Sequence, residues 1–348
     1  FFYQAGDSEA VEAALKSAHH VTHIRVVINR ITANTMEPRG VLGHYQAGED
    51  RYTIYVGHQR PYAWRTNLAK NVFRIGENQI TLITGDVGGS FGMKSGQYPE
   101  YNACLWAASK LGRPVRWVAD RSEGHLSDYH DRDQAADAWL GLNQDGKFLA
   151  LKVLSTCAVG AYLDPGGMIS PANHVGGLAG TYLTPHIYTE SSAVFTNTAP
   201  IGPYRGAGRP EASYVLERMI NIAARELDID PAELRRRNFI APDAMPYKTP
   251  LTFTYDCGEF DVVMENTLKA SDWDGFDARR KTSEASGLLR GRGVACYLEA
   301  ATIFNYRMEI RFDPSGSVTV LAGTFSHGQG HETVYAQMMC EFLGVGFE

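Results

Sequence analysis

Apolar residues recur along the chain in short runs, and nearly every run ends on a glycine or a proline. Asp7-Ser8-Glu9-Ala10, followed by apolar positions at helical spacing, predicts an N-capped helix through about Ser17. His23 to Ile31 alternates as a strand does, and Tyr52 to Val56 is a second strand rich in aromatic and β-branched residues. That strand runs into Gly57-His58-Gln59-Arg60-Pro61, where Pro61 bars its continuation. Gln79 to Ile83 predicts a strand, Gly85 to Lys94 a glycine loop, and Tyr98 to Leu111 an Ala-rich helix stopped by Gly112. Arg113 to Val118 is extended again. Asp137–Leu142 and Phe148–Thr156 pair as a hairpin across Asn143 to Gly146, whose Asp145-Gly146 is a strong turn signal.

A strand from Ser191 enters a second glycine-rich elbow, Thr198 to Pro210, ahead of an amphipathic helix from Glu211 to Leu227. Ala232 to Arg237 reads as a short helix, Ala241 to Thr254 as a loop, and the polar stretch from about Trp273 to Leu289 as a linker. Arg292–Glu299, Tyr306–Phe312 and Ser317–Leu321 read as strands, with a turn at Asp313 to Gly316. The last strand delivers a third glycine loop, Gly323 to His331, and then a helix. Strand, glycine loop, helix therefore occurs three times. The pattern divides the chain at about residue 275, into 1–274 and an unfinished unit, 275–348. Both ends read as cuts in a longer polypeptide.

Composition narrows the classes. In 348 residues, 33 basic groups against 39 acidic give a formal charge of −6, without a basic stripe, so nucleic acid is not an expected partner. With 44% hydrophobic residues the chain can bury a large core, and no run of 18 apolar residues predicts a membrane span. Five scattered cysteines form no C-x-x-C pair, which predicts reduced thiols and a cytoplasmic protein.

Glycine loops turn through positive φ and let a backbone approach a ligand, and the helix that follows each one offers unpaired N–H groups. Singly, each reads as a tight turn more often than as a binding site; three suggest convergence on one large ligand. No G-x-x-x-x-G-K-[ST] or G-x-G-x-x-G fingerprint is present. Gln59, Gln97 and Gln329 stand in or near these loops, where an amide can serve an oxo group or a ring nitrogen as well as solvent. His58, His327 and His331 are the candidates for a protein-ligated metal, but Gly328 and Gly330 leave their geometry unset, and none is expected. Arg205 and Arg209 either hold an anionic group or pair with Glu211, the second being the expectation from local pattern. Tyr204 is expected to pack in the core, and Cys257 to be a buried thiol.

In order along the chain, Met36-Glu37-Pro38-Arg39, Gly57-His58-Gln59, Gly85 to Lys94, Leu111 to Trp117, Tyr204 to Glu211, Glu233 to Asn238 and Gly328-Gln329-Gly330 carry a resemblance. The sequence resembles the molybdenum-binding large subunit of the xanthine dehydrogenase and aldehyde oxidase family. Within that family it is most similar to the bacterial branch grouped with carbon monoxide dehydrogenase large subunits. The resemblance implies an α+β fold of mixed sheets with packed helices. It implies molybdopterin with molybdenum, commonly in the cytosine dinucleotide form, held between two domains without side-chain ligands to the metal. Iron–sulfur and FAD partners are implied as well, in a homodimer of heterotrimers.

By position, Gln59 matches the glutamine that hydrogen-bonds a molybdenum oxo ligand, and Gly89, Phe91 and Gly92 match the loop beside the metal. Gln329, between Gly328 and Gly330, matches a pterin-binding glutamine. Arg205 matches an arginine that steadies substrate charge, and Phe91, Tyr204 and Gly206 line the implied substrate pocket. The implied reaction is hydroxylation of an aldehyde or N-heterocycle with water as oxygen source, its base a glutamate beyond Glu348, so the fragment alone is expected to be inactive. Two departures bear on substrate. Gly206 stands where copper-containing carbon monoxide dehydrogenases carry cysteine, and Ser95 where purine hydroxylases carry glutamate. Carbon monoxide and xanthine are thereby disfavoured. The alternative from another class is a non-catalytic remnant or binding module on the same scaffold.

Overall fold

The computed structural model describes residues 1–299 and 307–347. The strands that matter to the site are β1 (Phe2–Gly6), β2 (His20–Ile28), β3 (Gly40–Gln46), β4 (Arg51–Val56), β5 (Ile80–Ile83), β6 (Val115–Val118), β7 (Gln134–Leu142), β8 (Phe148–Gly160), β9 (His186–Phe195), β10 (Met308–Phe312) and β11 (Val318–Ala322). The helices are α1 (Ser8–Ser17), α2 (Pro61–Asn67), α3 (Pro99–Leu111), α4 (Arg121–Ser127), α5 (Ile169–Gly177), α6 (Arg209–Glu226), α7 (Pro231–Asn238), α8 (Phe260–Ala270), α9 (Phe276–Ala285) and α10 (His331–Leu343).

Two mixed sheets organise residues 1–239. The larger has the order β1-β9-β8-β7-β2, antiparallel except for the β8–β9 pair. Along β2 every second residue, Thr22, Ile24 and Val26, is buried, as a strand with one covered face requires. That face carries Ile24, Ala138, Leu140, Leu151 and Val153, and α6 covers it with Val215, Met219, Ile220 and Ala223. On the other face, α1 packs Val11 against Ala150 and Tyr188. Parallel pairing of β8 with β9 requires a crossover, and α5 lies within it.

The smaller sheet has the order β5-β4-β3-β6. Its β4 and β5 are parallel and joined through α2, which makes a second β-α-β unit. Here Pro61 does not end structure; it occupies the first turn of α2, where its missing N–H costs nothing. Helix α3 covers the sheet with Tyr101 and Leu105 against Val41, Ile54 and Val56. Gly43 allows this close packing, since a Cβ there would stand 3.1 Å from the Cys104 carbonyl.

The structure corrects the reading of residues 273–299. The polar stretch expected as a linker contains α9, supported by the i,i+4 pair Arg280–Glu284 and anchored by buried Phe276, with the Arg292 guanidinium over Trp273. The strand expected at 292–299 does not form. The Cys296 N–H donates to Glu217 Oε2 at 3.0 Å instead of to a neighbouring strand. After it come the β10–β11 hairpin, within the expected Tyr306–Phe312 and Ser317–Leu321 segments (Tyr306 itself lies outside the described residues), and α10. No side chain of residues 307–347 is buried.

Candidate functional site

Each glycine loop follows a strand and precedes a helix: Gly85–Lys94 between β5 and α3, Thr198–Gly208 between β9 and α6, and Gly323–Gly330 between β11 and α10. The first two meet. In the first elbow Gly89, Phe91 and Gly92 all have positive φ, +95°, +54° and +105°. In the second, Gly206, Ala207 and Gly208 have φ of +93°, +39° and +95°. The elbows cross where Arg205 N–H donates to Phe91 O at 2.9 Å. Gly92 makes the crossing feasible, because a Cβ there would overlap the Pro203 carbonyl oxygen.

Gln59 is the third component. Its Oε1 accepts from the Ser90 hydroxyl at 2.5 Å and from Gly92 N–H at 2.8 Å, while the Gln59 backbone N–H donates to Lys94 O at 3.0 Å. Two donors fix the amide's orientation, and among the described residues Nε2 has no hydrogen-bond partner, which leaves its hydrogens available to donate. Beneath this elbow, Glu37 Oε2 accepts from Gly88 N–H at 2.8 Å and pairs with buried Lys94 Nζ at 2.6 Å. Burial pushes the Lys94 ammonium below its ordinary pKa, against the pull of Glu37. Arg39 of the same segment is wholly buried against Asp128 and Glu100, its guanidinium 3.7 Å from the Tyr98 ring centre. The Met36-Glu37-Pro38-Arg39 segment therefore supports the first elbow from below.

The second elbow is held by residues that the sequence reading passes over, Asp131 and Arg132. Asp131 Oδ2 accepts from Tyr204 N–H and Ser170 Oγ, each at 2.8 Å. Arg132 donates to Tyr204 O and Arg205 O at 3.3 and 2.9 Å and pairs with Glu211 at 3.1 Å. Glu211 thus belongs to Arg132, not to Arg205 or Arg209 as local pattern suggests; Arg209 turns outward to Glu299 at 2.9 Å, and Arg205 is exposed. A run of charge entering an apolar strand, His130-Asp131-Arg132-Asp133, was the available signal.

Tyr204 is half-buried against the Arg132 guanidinium, 5.1 Å from its ring centre, so it is a wall residue more than a core residue. Phe91 is 41% exposed. Arg205 and Gly206 also border a cavity of about 730 Å³ along α6, lined further by Arg209, Tyr214 and Tyr297. Cys257, expected to be buried, is exposed in the turn before α8.

The remaining candidates have other hydrogen-bond and ring partners. Gln329 makes local contacts, its Oε1 accepting from His327 N–H at 2.7 Å, and among the described residues no hydrogen bond joins Gly328-Gln329-Gly330 to Gln59 or Phe91. His58 is buried and stacked on Trp64 with ring centres 4.6 Å apart, and burial lowers its pKa to about 4. Gln97 Oε1 accepts from Asn67. Among the described residues, no group of three His, Cys, Asp or Glu side chains is placed to hold a metal ion.

Residues 1–239 match one family model described as a molybdopterin cofactor-binding domain, and residues 266–348 match a second of the same description. The whole chain is 32% identical to 46% of the carbon monoxide dehydrogenase large chain of Hydrogenophaga pseudoflava. Over 97% of its length it is 28% identical to 43% of the nicotine 6-hydroxylase large subunit of Paenarthrobacter nicotinovorans. The structure of quinoline 2-oxidoreductase from Pseudomonas putida 86 superposes over the whole chain, and 46% of that protein, with a TM-score of 0.92 and 32% identity. The chain thus spans about half the length of the relatives it matches. With an α+β architecture of mixed sheets and packed helices shared along its whole length, this chain belongs to the family of molybdopterin-binding large subunits that includes xanthine dehydrogenase and carbon monoxide dehydrogenase.

Proposed function

We propose that this chain is the molybdopterin-binding part of a molybdenum hydroxylase that oxidises an N-heterocycle or an aldehyde with water as the oxygen source. The observation that carries the reading is the Gln59 amide, whose carbonyl is consumed by the residues on either side of exposed Phe91 while its Nε2 donors have no partner among the described residues. That arrangement fits a cofactor presenting an oxo group. Gln59, Gly89, Phe91 and Gly92 would hold the cofactor, with Gly328, Gln329 and Gly330 contributing from the second unit, which we place from about residue 275.

When bound, such a cofactor supplies two-electron oxidation of a substrate C–H bond. The chain's own residues bind and orient. Gln59 Nε2–H donates to the cofactor, which fixes its rotation. Phe91 and Tyr204 offer flat apolar walls that take an aromatic ring and exclude water. Arg205, with its backbone tied to Phe91 O and its side chain exposed, supplies a cation for charge that develops on the substrate. We further propose the cytosine dinucleotide form of the cofactor, electron transfer to iron–sulfur and FAD partners, a homodimer of heterotrimers, and a cytoplasmic location.

Gly206 weighs against carbon monoxide. It has no sulfur to hold copper, and at φ +93° an added Cβ would stand 2.5 Å from the Pro210 ring. The similarity to quinoline 2-oxidoreductase and nicotine 6-hydroxylase supports an N-heterocycle. The test is a panel of N-heterocycles, aldehydes and carbon monoxide, run on the intact complex with an artificial electron acceptor. We expect turnover of a heterocycle or an aldehyde; oxidation of carbon monoxide alone would overturn the assignment.

A further inference from the structure

Below the second elbow lies a buried cluster of one cation and two carboxylates that the proposed chemistry leaves unused. Asp131 is fully buried, and among the described residues its Oδ1 has no hydrogen-bond partner. Arg132 and Asp133 adopt positive φ, +69° and +53°, a conformation that costs non-glycine residues about 1–3 kcal/mol each and persists only where the surroundings enforce it. What this backbone achieves is a grip on one dipeptide. Tyr204 is held at its N–H by Asp131 Oδ2, at its carbonyl by Arg132 Nη1, and at its ring by the Arg132 guanidinium. The Arg205 carbonyl is held by Arg132 Nη2, and the Arg205 N–H ties this dipeptide to Phe91 O.

We propose that Asp131, Arg132 and Glu211 are positioning residues, which set the register of the Tyr204–Arg205 wall against Phe91 and make that register respond to pH through Glu211. The proposal rests on the reading of these two elbows as the walls of the site, and on no particular substrate or metal.

The pH response follows from charge counting. Glu211 is 2% exposed and faces Arg132 and Asp131 from the first residues of α6. Burial, and then the Asp131 charge, raise its pKa to about 7. Burial also raises Asp131, which the Ser170, Tyr204 and Arg132 donors oppose. The other groups facing the cluster do not compensate near neutrality. From β8, the Cys157 thiol is pushed up to about 12 by burial; from α5, burial holds His174 neutral, down to about 4; just before β7, Asp133 is paired with Arg30 at 2.8 Å. Near pH 7 the cluster therefore passes between neutral and −1. Ionised Glu211 makes a charge-assisted bond to Arg132 and orders the guanidinium that holds Tyr204 and Arg205.

The test is amide hydrogen exchange on the full-length chain in its complex, read by mass spectrometry on peptides spanning 200–208 and 212–224, for wild type, Arg132→Lys and Glu211→Gln. Arg132→Lys keeps the charge but cannot reach both carbonyls. It should speed exchange in 200–208 at least tenfold while leaving 212–224 unchanged. In wild type, after correction for intrinsic pH dependence, protection of 200–208 should rise at least threefold between pH 6 and 8. Glu211→Gln, isosteric and able to keep one of the two bonds from Arg132, should abolish that rise and flatten the corresponding limb of kcat/KM against pH. Equal loss across both peptides in Arg132→Lys, unchanged exchange at 200–208, or a pH step that survives Glu211→Gln would each overturn the proposal. Exchange requires no turnover, so a complex without molybdenum would sink the assignment of function and leave this result standing.

Discussion

Gly92→Ala places a methyl group where the two elbows cross. At φ +105° an alanine is strained by about 1–3 kcal/mol, and its Cβ would stand 2.7 Å from the Pro203 carbonyl carbon, closer still to the oxygen. Both are backbone atoms, so the second elbow must move. That movement breaks the Arg205 N–H to Phe91 O bond, worth about 0.5–1.5 kcal/mol. The total is about 3 kcal/mol. Gly112→Ala is the control: it also has positive φ, +64°, but nothing stands within 4 Å of an added Cβ, so it costs about 1 kcal/mol from backbone strain alone. The difference, about 2 kcal/mol, is roughly a 30-fold change in local opening. Exposed Arg205 provides the assay, since trypsin cleaves after it once the elbow is loose. Limited proteolysis of the full-length chain should show cleavage at Arg205–Gly206 about 30-fold faster in Gly92→Ala than in Gly112→Ala, because proteolysis of a rapidly opening segment follows its open population. Equal rates in the two variants would refute the crossing as a point of mutual support.

Gln59 separates structure from chemistry. Gln59→Glu keeps an acceptor for Ser90 and Gly92 and should leave the urea midpoint near wild type, whereas Gln59→Leu strands both donors at a cost of about 1–3 kcal/mol. Both lack the Nε2–H donor and should lose turnover by about 10²-fold; a Gln59→Glu enzyme with full activity would contradict the donor role. The buried histidines set an acid limit on stability. His58 Nδ1 accepts from Arg60 N–H at 3.0 Å, and His174 Nδ1 accepts from Gln134 Nε2 at 3.3 Å, so protonation would set donor against donor at both. Burial holds each at about 4. Between that value and 6.5 the unfolded chain binds more protons than the folded one, so stability falls as pH drops through this window, by about 3 kcal/mol per histidine. Urea midpoints at pH 7, 5.5 and 4.5 should decline accordingly, and less steeply in His58→Phe, which keeps the stack on Trp64; parallel slopes would show that His58 is not the cause.

Local chemistry made much of the framework legible. The Asp7 cap, the Asp145-Gly146 turn and the Gly112 stop each mark an element by a mechanism that acts within a few residues, and α1, the β7–β8 hairpin and α3 lie where those signals put them. The segments that misled are governed by distant partners. Residues 292–299 alternate like a strand, but the Cys296 N–H goes to Glu217 and the Arg209 side chain reaches Glu299, pairings across about 80 residues or more that no local pattern reports. Helix α9 is so polar that it reads as linker until Phe276 is seen to anchor it. At the site, Gln59 and the glycines announce themselves by type, whereas Asp131 and Arg132 reach the backbone of a dipeptide about 70 residues away, which the charged run at 130–133 marks without naming its partner, and Arg132 does so in a left-handed conformation that favours glycine.

Molybdenum and nucleotide analysis of the full-length chain, purified in its complex, bears most directly on whether these elbows and Gln59 surround a pterin-borne metal. We predict one molybdenum per chain, cytosine monophosphate on acid hydrolysis, and loss of both in Gly92→Ala together with the faster cleavage at Arg205. A correctly folded complex that carries neither metal nor pterin, or one whose molybdenum content is indifferent to Gly92→Ala, would contradict the account.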